Sequence, residues 1–408
     1  MQLVTALAGI ATLLVLAVLM SEDRRRIRLR TVGIALGLQV AIAGLVIYFP
    51  PGRGALAGLV RGVQNVIDYG NEGIEFVFGA RTTESLGFTI AVNVLPVIVF
   101  FSALMSLLYY LGIMQRVVSV LGGWLQRLLG TTRTESMSAV SNIFVGHTEA
   151  PLVVKPYLAG MTRSELFAVM TGGCATIAGA VMAAYASMGV DLNYLITASF
   201  MAAPGGLAMA KIVMPEAHAR EAEIAVGPVE EDEKPVNVFE AIGNGALLGL
   251  KLALNVGAML LAFVAMIALL NGLIGGVAGL AGYEGLTLQQ ILGWLFAPLA
   301  FLLGIPWAEA PAAGSLIGQK LVINEFYAYA NFVQIKDELS THAQTVVTFA
   351  LCGFANLTSI AILLGGLGSI VPARRHDIAR FGLKAVLTAT LANMMSAVLA
   401  GLFYSLAA

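Results

Sequence analysis

The sequence has little charge. Asp, Glu, Lys and Arg make up only 12% of its 408 residues and the formal net charge is −1, whereas a soluble domain carries about 25% charged residues. Hydrophobic residues make up 58% of the chain, and the mean hydropathy is +0.86. This composition excludes an ordinary soluble protein, gives no indication of a nucleic-acid partner, and predicts an all-α polytopic membrane protein.

Cysteines and enzyme motifs are also scarce. The two cysteines, Cys174 and Cys352, both lie within apolar stretches, and two are too few for a disulfide framework or a metal site. The sequence contains no GxxxxGK[ST], HExxH or GxSxG pattern. These absences disfavour an ATP-driven pump and the intramembrane hydrolases that carry such motifs, and we expect no enzymatic activity.

The first apolar segment, Leu3 to Leu19, predicts a retained transmembrane helix rather than a signal peptide. It has no basic region before it, and five arginines follow it instead: Arg24, Arg25, Arg26, Arg28 and Arg30. By the positive-inside rule these arginines lie in the cytoplasm, so we expect the N-terminus outside.

The apolar segments predict eight transmembrane helices, two re-entrant hairpins and interfacial helices. The eight spans are expected at about 2–20, 31–49, 88–113, 165–190, 194–213, 240–272, 344–371 and 381–406. Residues 134–160 and 286–340 are too interrupted to span, so each is expected to contain a hairpin that lines a cavity. Residues 53–86 and 114–130 predict amphipathic helices on the outer and inner surfaces. A second basic cluster near Arg374 then lies inside, so both termini lie outside.

The second half of the sequence resembles the first. Leu121–Leu125 resembles Leu292–Leu295, and Gly173–Gly179 resembles Gly353–Ser359. The two hairpins are expected to enter from opposite sides, which predicts an inverted repeat. We therefore expect four segments: a scaffold of helices 1 and 2 with the surface helices (1–87), a first repeat (88–213), a cytoplasmic linker (214–236) and a second repeat (237–408).

Each predicted hairpin carries a carboxylate. The first, Asn142–Pro151, contains His147, Thr148 and Glu149, and the second contains Glu325. An ionisable group at membrane depth costs about 2.5–3.5 kcal/mol even on the insertion scale, so it indicates a substrate or ion path. Paired sites of this kind predict a transporter whose substrate binds near the bilayer midplane.

Small and polar residues interrupt the centres of the fourth and seventh spans. The runs are Ala175–Gly179 and Ala355–Ser359, and both are poor sequences for a lipid-facing helix. They predict unwound backbone, whose free carbonyls can bind a hard cation such as Na⁺ and whose half-helix N-termini can bind anionic or hydroxyl groups.

Three motifs resemble the concentrative nucleoside transporters: Asn-Ile-Phe-Val-Gly-x-Thr-Glu-Ala-Pro from Asn142, Asn-Glu-Phe from Asn324, and Cys-Gly-Phe-Ala-Asn-Leu-Thr-Ser from Cys352. The resemblance covers essentially the whole chain. It implies a homotrimer in a bacterial inner membrane, with a central scaffold and mobile transport domains. It also implies import of nucleosides with cotransported Na⁺, or H⁺ in some members.

The resemblance also implies residue roles. His147, Thr148 and Glu149 correspond to residues that face the nucleobase, and Glu325, Asn356 and Ser359 to residues that bind the ribose hydroxyls. Phe354, Val181 and Leu252 correspond to the apolar wall beside the base, although the position of Leu252 depends on spacing across a variable linker. Asn142 and Thr176 correspond to side-chain ligands of Na⁺, and Val145 and Ile177 to carbonyl ligands.

Two residues depart from the family pattern. His147 stands where Gln is common, so base preference is expected to shift, towards purines or an unusual base, and uptake to gain a pH dependence where histidine titrates. Thr176 stands where Ser is usual, but it keeps the hydroxyl, so the cation site is expected to survive.

Other readings of these residues remain open. Glu149 and Glu325 are alternatively buried structural acids, and His147 a packing residue at a hairpin tip. At the level of function, the alternatives are a proton-coupled nucleoside symporter, a channel lined by Glu149 and Glu325, and an intramembrane enzyme with two carboxylates. No nucleophile and base at catalytic spacing support the enzyme.

Overall fold

The structure is a computed structural model and describes residues 2–79, 89–217, 235–280, 282–283 and 285–407. All regular elements in these ranges are helical. Arg81 of the predicted surface stretch and Glu230–Lys234 of the predicted linker lie outside the described residues.

The described residues form sixteen α-helices of at least eight residues, with shorter helical turns between them. Their bounds are α1 Gln2–Leu19, α2 Leu29–Ala43, α3 Pro50–Phe78, α4 Leu95–Tyr110, α5 Ile113–Leu129, α6 Arg133–Ser141, α7 Arg163–Ala175, α8 Gly179–Ser187, α9 Leu192–Val213, α10 Val238–Leu280, α11 Leu288–Leu302, α12 Ala310–Val322, α13 Glu325–Ile335, α14 Thr341–Leu351, α15 Thr358–Gly365 and α16 Arg375–Ala407. Turns of π-helix extend α2 to Tyr48 and precede α4 from Ile90.

Six helical segments among the described residues are long and apolar enough to cross a bilayer by length and composition: Leu29–Tyr48, Ile90–Tyr110, Arg163–Ser187, Leu192–Val213, Val238–Leu280 and Pro372–Ala407. They match six of the eight predicted spans. The first predicted span is the shorter apolar segment Leu3–Leu19, and the seventh is interrupted between α14 and α15. The all-helical membrane fold is therefore confirmed.

The surface stretch at 53–86 differs from the prediction in one respect. Its described part is one continuous helix, α3, instead of several. Pro50 and Pro51 occupy its first turn, where proline is tolerated, and no later proline interrupts it. The helix therefore continues as far as Phe78.

The helices pack in two groups. Helix α10 lies along α4, and small residues allow this close approach: a Cβ at Gly249 would lie 2.7 Å from the Cα of Val99. Most of the other helices surround α9 and α16, two long helices that are largely buried. Helix α4 touches the second group through α8.

The first two helices pack with the second group. Helix α1 lies against α16, and α2 lies against α9. Inside this contact, the buried amide of Gln39 donates to Ser396 Oγ at 2.8 Å. Residues 2–48 are thus joined to the helices of the two repeats, whereas α3 contacts α4 as well as α9.

Candidate functional site

Two broken helices meet at the centre of the second group. Helix α7 ends at Ala175 and α8 begins at Gly179, while α14 ends at Leu351 and α15 begins at Thr358. The breaks cover the small and polar runs from which unwinding is predicted. The Phe354 N–H donates to the carbonyl of Thr176 at 3.1 Å, so the two breaks are bonded to each other.

Asn393 of α16 forms hydrogen bonds with both breaks. Its Nδ2 donates to the carbonyls of Ala175 and Cys352, at 2.7 and 2.9 Å. Gly353 leaves room for this arrangement, because a Cβ there would lie 2.7 Å from the Ala175 oxygen and would also collide with Asn393 Oδ1. The place where the two breaks meet, called the crossing below, is therefore held by backbone groups that a continuous helix would satisfy internally.

The two hairpins attach to the breaks in the same way. The Gly179 N–H donates to the Phe144 carbonyl at 3.0 Å, and the Leu357 N–H donates to the Leu321 carbonyl at 3.1 Å. In each case a carbonyl of the hairpin accepts a hydrogen bond from a backbone N–H at the point where the broken helix resumes. This correspondence pairs the first half of the chain with the second, as the predicted repeat requires.

The first hairpin places an unpaired amide oxygen beside the break of α7 and α8. Asn142 is buried at the end of α6, and its Nδ2 donates to the Ser138 carbonyl at 2.9 Å. Its Oδ1 has no hydrogen-bond partner among the described residues. A Cβ at Gly173 would lie 3.7 Å from this oxygen, so the amide packs against the glycines of α7.

The other three residues expected around Na⁺ lie at the same break or on the adjoining turn. Thr176 Oγ1 donates to the Gly172 carbonyl at 3.0 Å, on the stretch of α7 that Asn142 covers. The Val145 and Ile177 carbonyls accept no hydrogen bond from the described residues. Neutral oxygens of this kind suit a hard cation, so the donor set fits Na⁺.

His147, in the turn of the first hairpin, lies against the second break. Its ring centroid is 4.8 Å from that of Phe354, and neither ring nitrogen has a partner among the described residues. A Cβ at Gly173 would lie 2.8 Å from the Cβ of His147. Two hydrogen-bonding atoms are therefore held next to an aromatic face without being used by the protein.

Thr148 and Glu149 follow His147 on the exposed side of the hairpin turn. Thr148 packs against Gly366 after α15, where a Cβ would lie 3.0 Å from its Cγ2. The Glu149 N–H donates to the Gly146 carbonyl at 3.0 Å, which fixes the turn and leaves its side chain exposed. Both side chains are free to contact a ligand.

Glu325 is the first residue of α13 and only 6% exposed. Its Oε2 accepts from Asn356 Nδ2 at 2.7 Å, and its Oε1 accepts from the Tyr185 hydroxyl at 3.2 Å. A carboxylate at a helix N-terminus is also stabilised by the helix dipole. The structure thus joins Glu325 and Asn356 directly.

Asn356 organises the start of α15 in turn. Its Oδ1 accepts from the Ser359 N–H at 2.9 Å and from the Thr358 hydroxyl at 2.6 Å. The Ser359 hydroxyl donates to the Phe354 carbonyl. Glu325, Asn356 and Ser359 therefore form one polar cluster that spans the second hairpin and the second break.

The two remaining apolar candidates lie in different places. Val181 is buried on α8, one turn after the first break. Leu252 is half-buried on α10, the helix that packs along α4. Leu252 packs there against the apolar core, and its role beside the base stays a prediction from the resemblance.

Sequence reasoning missed three buried groups, two of them at this site. Tyr185 donates to Glu325, and Lys320 Nζ donates to the Ala350 carbonyl and to Asn393 Oδ1, at 2.7 and 2.8 Å. Lys211 forms a buried ion pair with Glu135. The available signal was a lysine within an apolar run, which is as costly in a membrane as a carboxylate.

Family models match almost the whole chain. Residues 8–81 match the N-terminus of the Na⁺-dependent nucleoside transporters, residues 91–191 a nucleoside recognition domain, and residues 194–401 the C-terminus of the same transporters.

Individual proteins are similar over the same length. Nucleoside permease NupC of Helicobacter pylori is 53% identical, covering 98% of each chain. Sodium/nucleoside cotransporter 2 of Rattus norvegicus is 40% identical over 97% of this chain and 62% of its own. A structure of CNTnw in an inward-facing substrate-bound state is 53% identical, with a TM-score of 0.95 over 100% of this chain and 99% of that one. A variant of CNTnw in an outward-facing state has a TM-score of 0.97, with 54% identity over 100% and 99% of the two chains. These family members are transporters and permeases rather than enzymes. Because the family models and relatives match nearly the whole chain, the chain is an integral membrane protein that belongs to the Na⁺-dependent nucleoside transporter family.

Proposed function

We propose that this protein imports nucleosides together with Na⁺, and that the nucleoside binds between the two hairpins. The observation that carries the proposal is Glu325, a buried carboxylate that accepts from the Tyr185 hydroxyl and the Asn356 amide. A carboxylate offers about four lone-pair sites. The remaining sites are available to the hydroxyls of a ribose, which are good donors to an ionised group in a dry site.

The base is proposed to lie on the side of the first hairpin. Phe354 gives an aromatic face, and His147 gives two unused ring nitrogens beside it. A planar base can pack on such a face and form hydrogen bonds with an imidazole, which has one donor and one acceptor when neutral. Thr148 and Glu149 supply further polar groups on the exposed side, and Val181 the apolar wall.

The cation is proposed to bind at the first break. Asn142 Oδ1 is a buried oxygen without a hydrogen-bond partner in the part of the chain that the structure describes, and Thr176 bonds to the carbonyl of Gly172, which the Asn142 amide covers. A bound Na⁺ would satisfy Asn142 Oδ1 and the carbonyls of Val145 and Ile177. Because those residues adjoin the turn that carries His147, the cation would order the hairpin that meets the base.

Alternating access is proposed to occur by movement of one helix group against the other. We assign α4, α10 and α3 to the stationary scaffold, and the hairpins with the helices around α9 and α16 to the moving body. This changes the sequence-based division, because α1 and α2 join the moving body through their contacts with α16 and α9. The exposed apolar length of α10 suits contact with lipid and with other copies in a homotrimer. Both termini are proposed to lie outside the bacterial inner membrane.

Two alternatives remain within reach of the same experiment. A proton-coupled symporter would use Glu149 or His147 to carry the proton instead of a Na⁺ at Asn142. A channel lined by Glu149 and Glu325 is disfavoured because Glu325 is closed in by protein partners.

The test is uptake of labelled uridine and adenosine into proteoliposomes with an inward Na⁺ gradient, with K⁺ in place of Na⁺, and with a pH gradient alone. We expect accumulation above equilibrium only with the Na⁺ gradient, and loss of that Na⁺ dependence in Asn142→Ala. Uptake driven by the pH gradient alone would establish proton coupling. Flux that does not saturate with substrate would indicate the channel.

A further inference from the structure

Lys320 is a buried charge that the proposed transport has not used. It lies on α12 of the second hairpin and is only 1% exposed. An ammonium ion in such a place is costly unless its hydrogen bonds are satisfied. Its hydrogen-bond acceptors in the described part of the chain are neutral oxygens, the Ala350 carbonyl and Asn393 Oδ1, at 2.7 and 2.8 Å.

The internal repeat relates the position of Lys320 in the second hairpin to that of Asn142 in the first. The hairpin bonds at Gly179 and Leu357 pair Phe144 with Leu321. Counted back from these bonds, Ala350 lies seven residues before Leu357, as Gly172 lies seven before Gly179, and Lys320 lies within one residue of the counterpart of Asn142. This structural register is displaced by two residues from the sequence match of Gly173–Gly179 with Gly353–Ser359.

The two equivalent positions differ in how they are filled. In the first repeat the Asn142 amide covers Gly172 and leaves its Oδ1 without a partner. In the second repeat the ammonium group of Lys320 occupies the corresponding place and donates to Ala350. In the first repeat the buried Asn142 Oδ1 therefore has no positively charged partner among the described residues. In the second repeat the ammonium group of Lys320 is a positive charge that belongs to the protein itself.

We infer that Lys320 is a resident cation, whose ammonium fills in the second repeat the position that the exchangeable Na⁺ fills in the first. The inference rests on the proposed function, since it takes the Asn142 position as the Na⁺ site. It also makes Lys320 a positioning residue for the substrate site. Only one of the two equivalent positions can exchange its cation, so one Na⁺ accompanies each nucleoside.

The positioning acts through Asn393. An ammonium group has donors only, so it fixes the Asn393 amide with Oδ1 towards Lys320. The Nδ2 group is then directed to the Ala175 and Cys352 carbonyls, which hold the two breaks together. Without the ammonium, Asn393 Oδ1 loses its donor and only the two carbonyls hold the amide, so the crossing that carries Phe354 and Asn356 loosens.

The wild-type protein tests the ion count. Labelled uridine uptake and charge movement are measured in parallel on the same proteoliposomes. We expect one charge per uridine, and a ratio of two would overturn the inference because it needs a second exchangeable cation. Uptake without any Na⁺ dependence would instead refute the proposed Na⁺ coupling, which separates the two failures.

Variants test the positioning role. Uridine binding to the purified protein is measured by calorimetry over a range of NaCl concentrations, with Lys320→Met, Lys320→Arg and a control, Lys336→Met. Lys336 also donates to a carbonyl, that of Gly189 at 3.1 Å, but this contact is exposed. We expect Lys320→Met to weaken binding about tenfold or more at every NaCl concentration, with an unchanged dependence on Na⁺. Lys320→Arg should lose less, and the control nothing.

Two results with these variants would contradict the inference. Binding by Lys320→Met with the wild-type constant would remove the positioning role. A loss that vanishes at saturating Na⁺ would mean that Lys320 acts on the first cation site instead of filling the second. If Lys320→Met does not yield folded protein, the charge ratio of the wild type still decides the inference.

Discussion

At the scale of single residues, Glu325 retains acceptor sites after its bonds to Tyr185 and Asn356. Replacing it with Gln removes the charge and turns one oxygen into a donor, while the size is unchanged. A hydrogen bond to a charged group contributes about 1.5–3 kcal/mol. We therefore expect Glu325→Gln to weaken uridine binding by about tenfold to a hundredfold, measured by calorimetry in saturating Na⁺.

The matched control for Glu325 is Glu338→Gln. Glu338 is exposed in the turn Lys336–Glu338, which directly follows α13, the helix that Glu325 begins. The Glu338→Gln protein should bind uridine as the wild type does. If Glu325→Gln also does, the carboxylate has only a structural role with Tyr185 and Asn356.

His147 is the residue at which this chain is expected to differ from its family in base choice. His147→Gln supplies a donor and an acceptor on one amide in place of two nitrogens on opposite sides of a ring. One altered hydrogen bond is worth about 0.5–1.5 kcal/mol. We expect the ratio of uridine to adenosine uptake to change by about twofold to tenfold, measured as initial rates at low substrate.

The comparison for that measurement is His376→Gln, at an exposed position near the start of α16. Its base selectivity should equal that of the wild type. Equal selectivity in His147→Gln as well would reduce His147 to a packing partner of Phe354.

Individual site residues were partly predictable from the sequence. Glu325 and Asn356 stood out because polar groups are costly in an apolar segment, and the structure brings them together. Tyr185 did not stand out, because a tyrosine in a membrane helix is ordinary and its partner lies far away in the chain. Lys320 showed the same signal as Glu325, but its partners are a carbonyl and the distant Asn393, which no local pattern indicates.

At the scale of elements, the crossing of the two breaks depends on Gly353. Its φ of 154° is unfavourable for other residues, and a Cβ would collide with Ala175 and Asn393. Backbone strain of this kind costs about 1–3 kcal/mol, before the collision is counted. We expect Gly353→Ala to lower the melting temperature and to weaken uridine binding, measured by thermal unfolding and calorimetry.

Gly365 provides the matched control, because it ends α15 nearby and a Cβ there meets nothing within 4 Å. Ala is a better helix former than Gly by about 1 kcal/mol. Gly365→Ala should therefore leave the melting temperature unchanged or raise it. A Gly353→Ala protein as stable as Gly365→Ala would show that the crossing tolerates a side chain.

The elements themselves were more predictable than their ends. Apolar length indicated the spans, and small polar runs indicated both breaks, because unwound backbone needs residues that fit close contacts. Helix α10 runs for 43 residues from Val238 to Leu280, beyond the predicted 240–272. Its apolar pattern continues past the length of a bilayer, and no proline interrupts it before Leu280.

At the scale of the whole molecule, the division into moving and stationary parts depends on packing between distant segments. Sequence order grouped residues 1–87 together, but α1 and α2 contact α16 and α9. Such contacts follow from the shapes of helix faces that meet only in the folded protein. Hydropathy gives the same apolar signal for a helix that faces lipid and for one that faces another helix.

Cross-linking can test this division. Asn71 of α3 and Ser187 at the end of α8 line one open cavity, and α3 belongs to the proposed scaffold while α8 belongs to the proposed moving body. We expect a bifunctional thiol reagent of suitable length to block uridine uptake in Asn71→Cys with Ser187→Cys, because the two parts can no longer move apart. Binding of uridine to the cross-linked protein should persist, measured by calorimetry after reaction.

A second pair lies within one proposed body and gives the comparison. Asn193 of α9 and Tyr404 of α16 line another open cavity, and both helices are assigned to the moving body. Cross-linked Asn193→Cys with Tyr404→Cys should keep its uptake, since the joined helices travel together. If both linked pairs transport normally, α3 and α8 move as one unit and the proposed scaffold is wrong. If both are blocked, α9 and α16 must shift against each other during transport, and the moving body is not rigid.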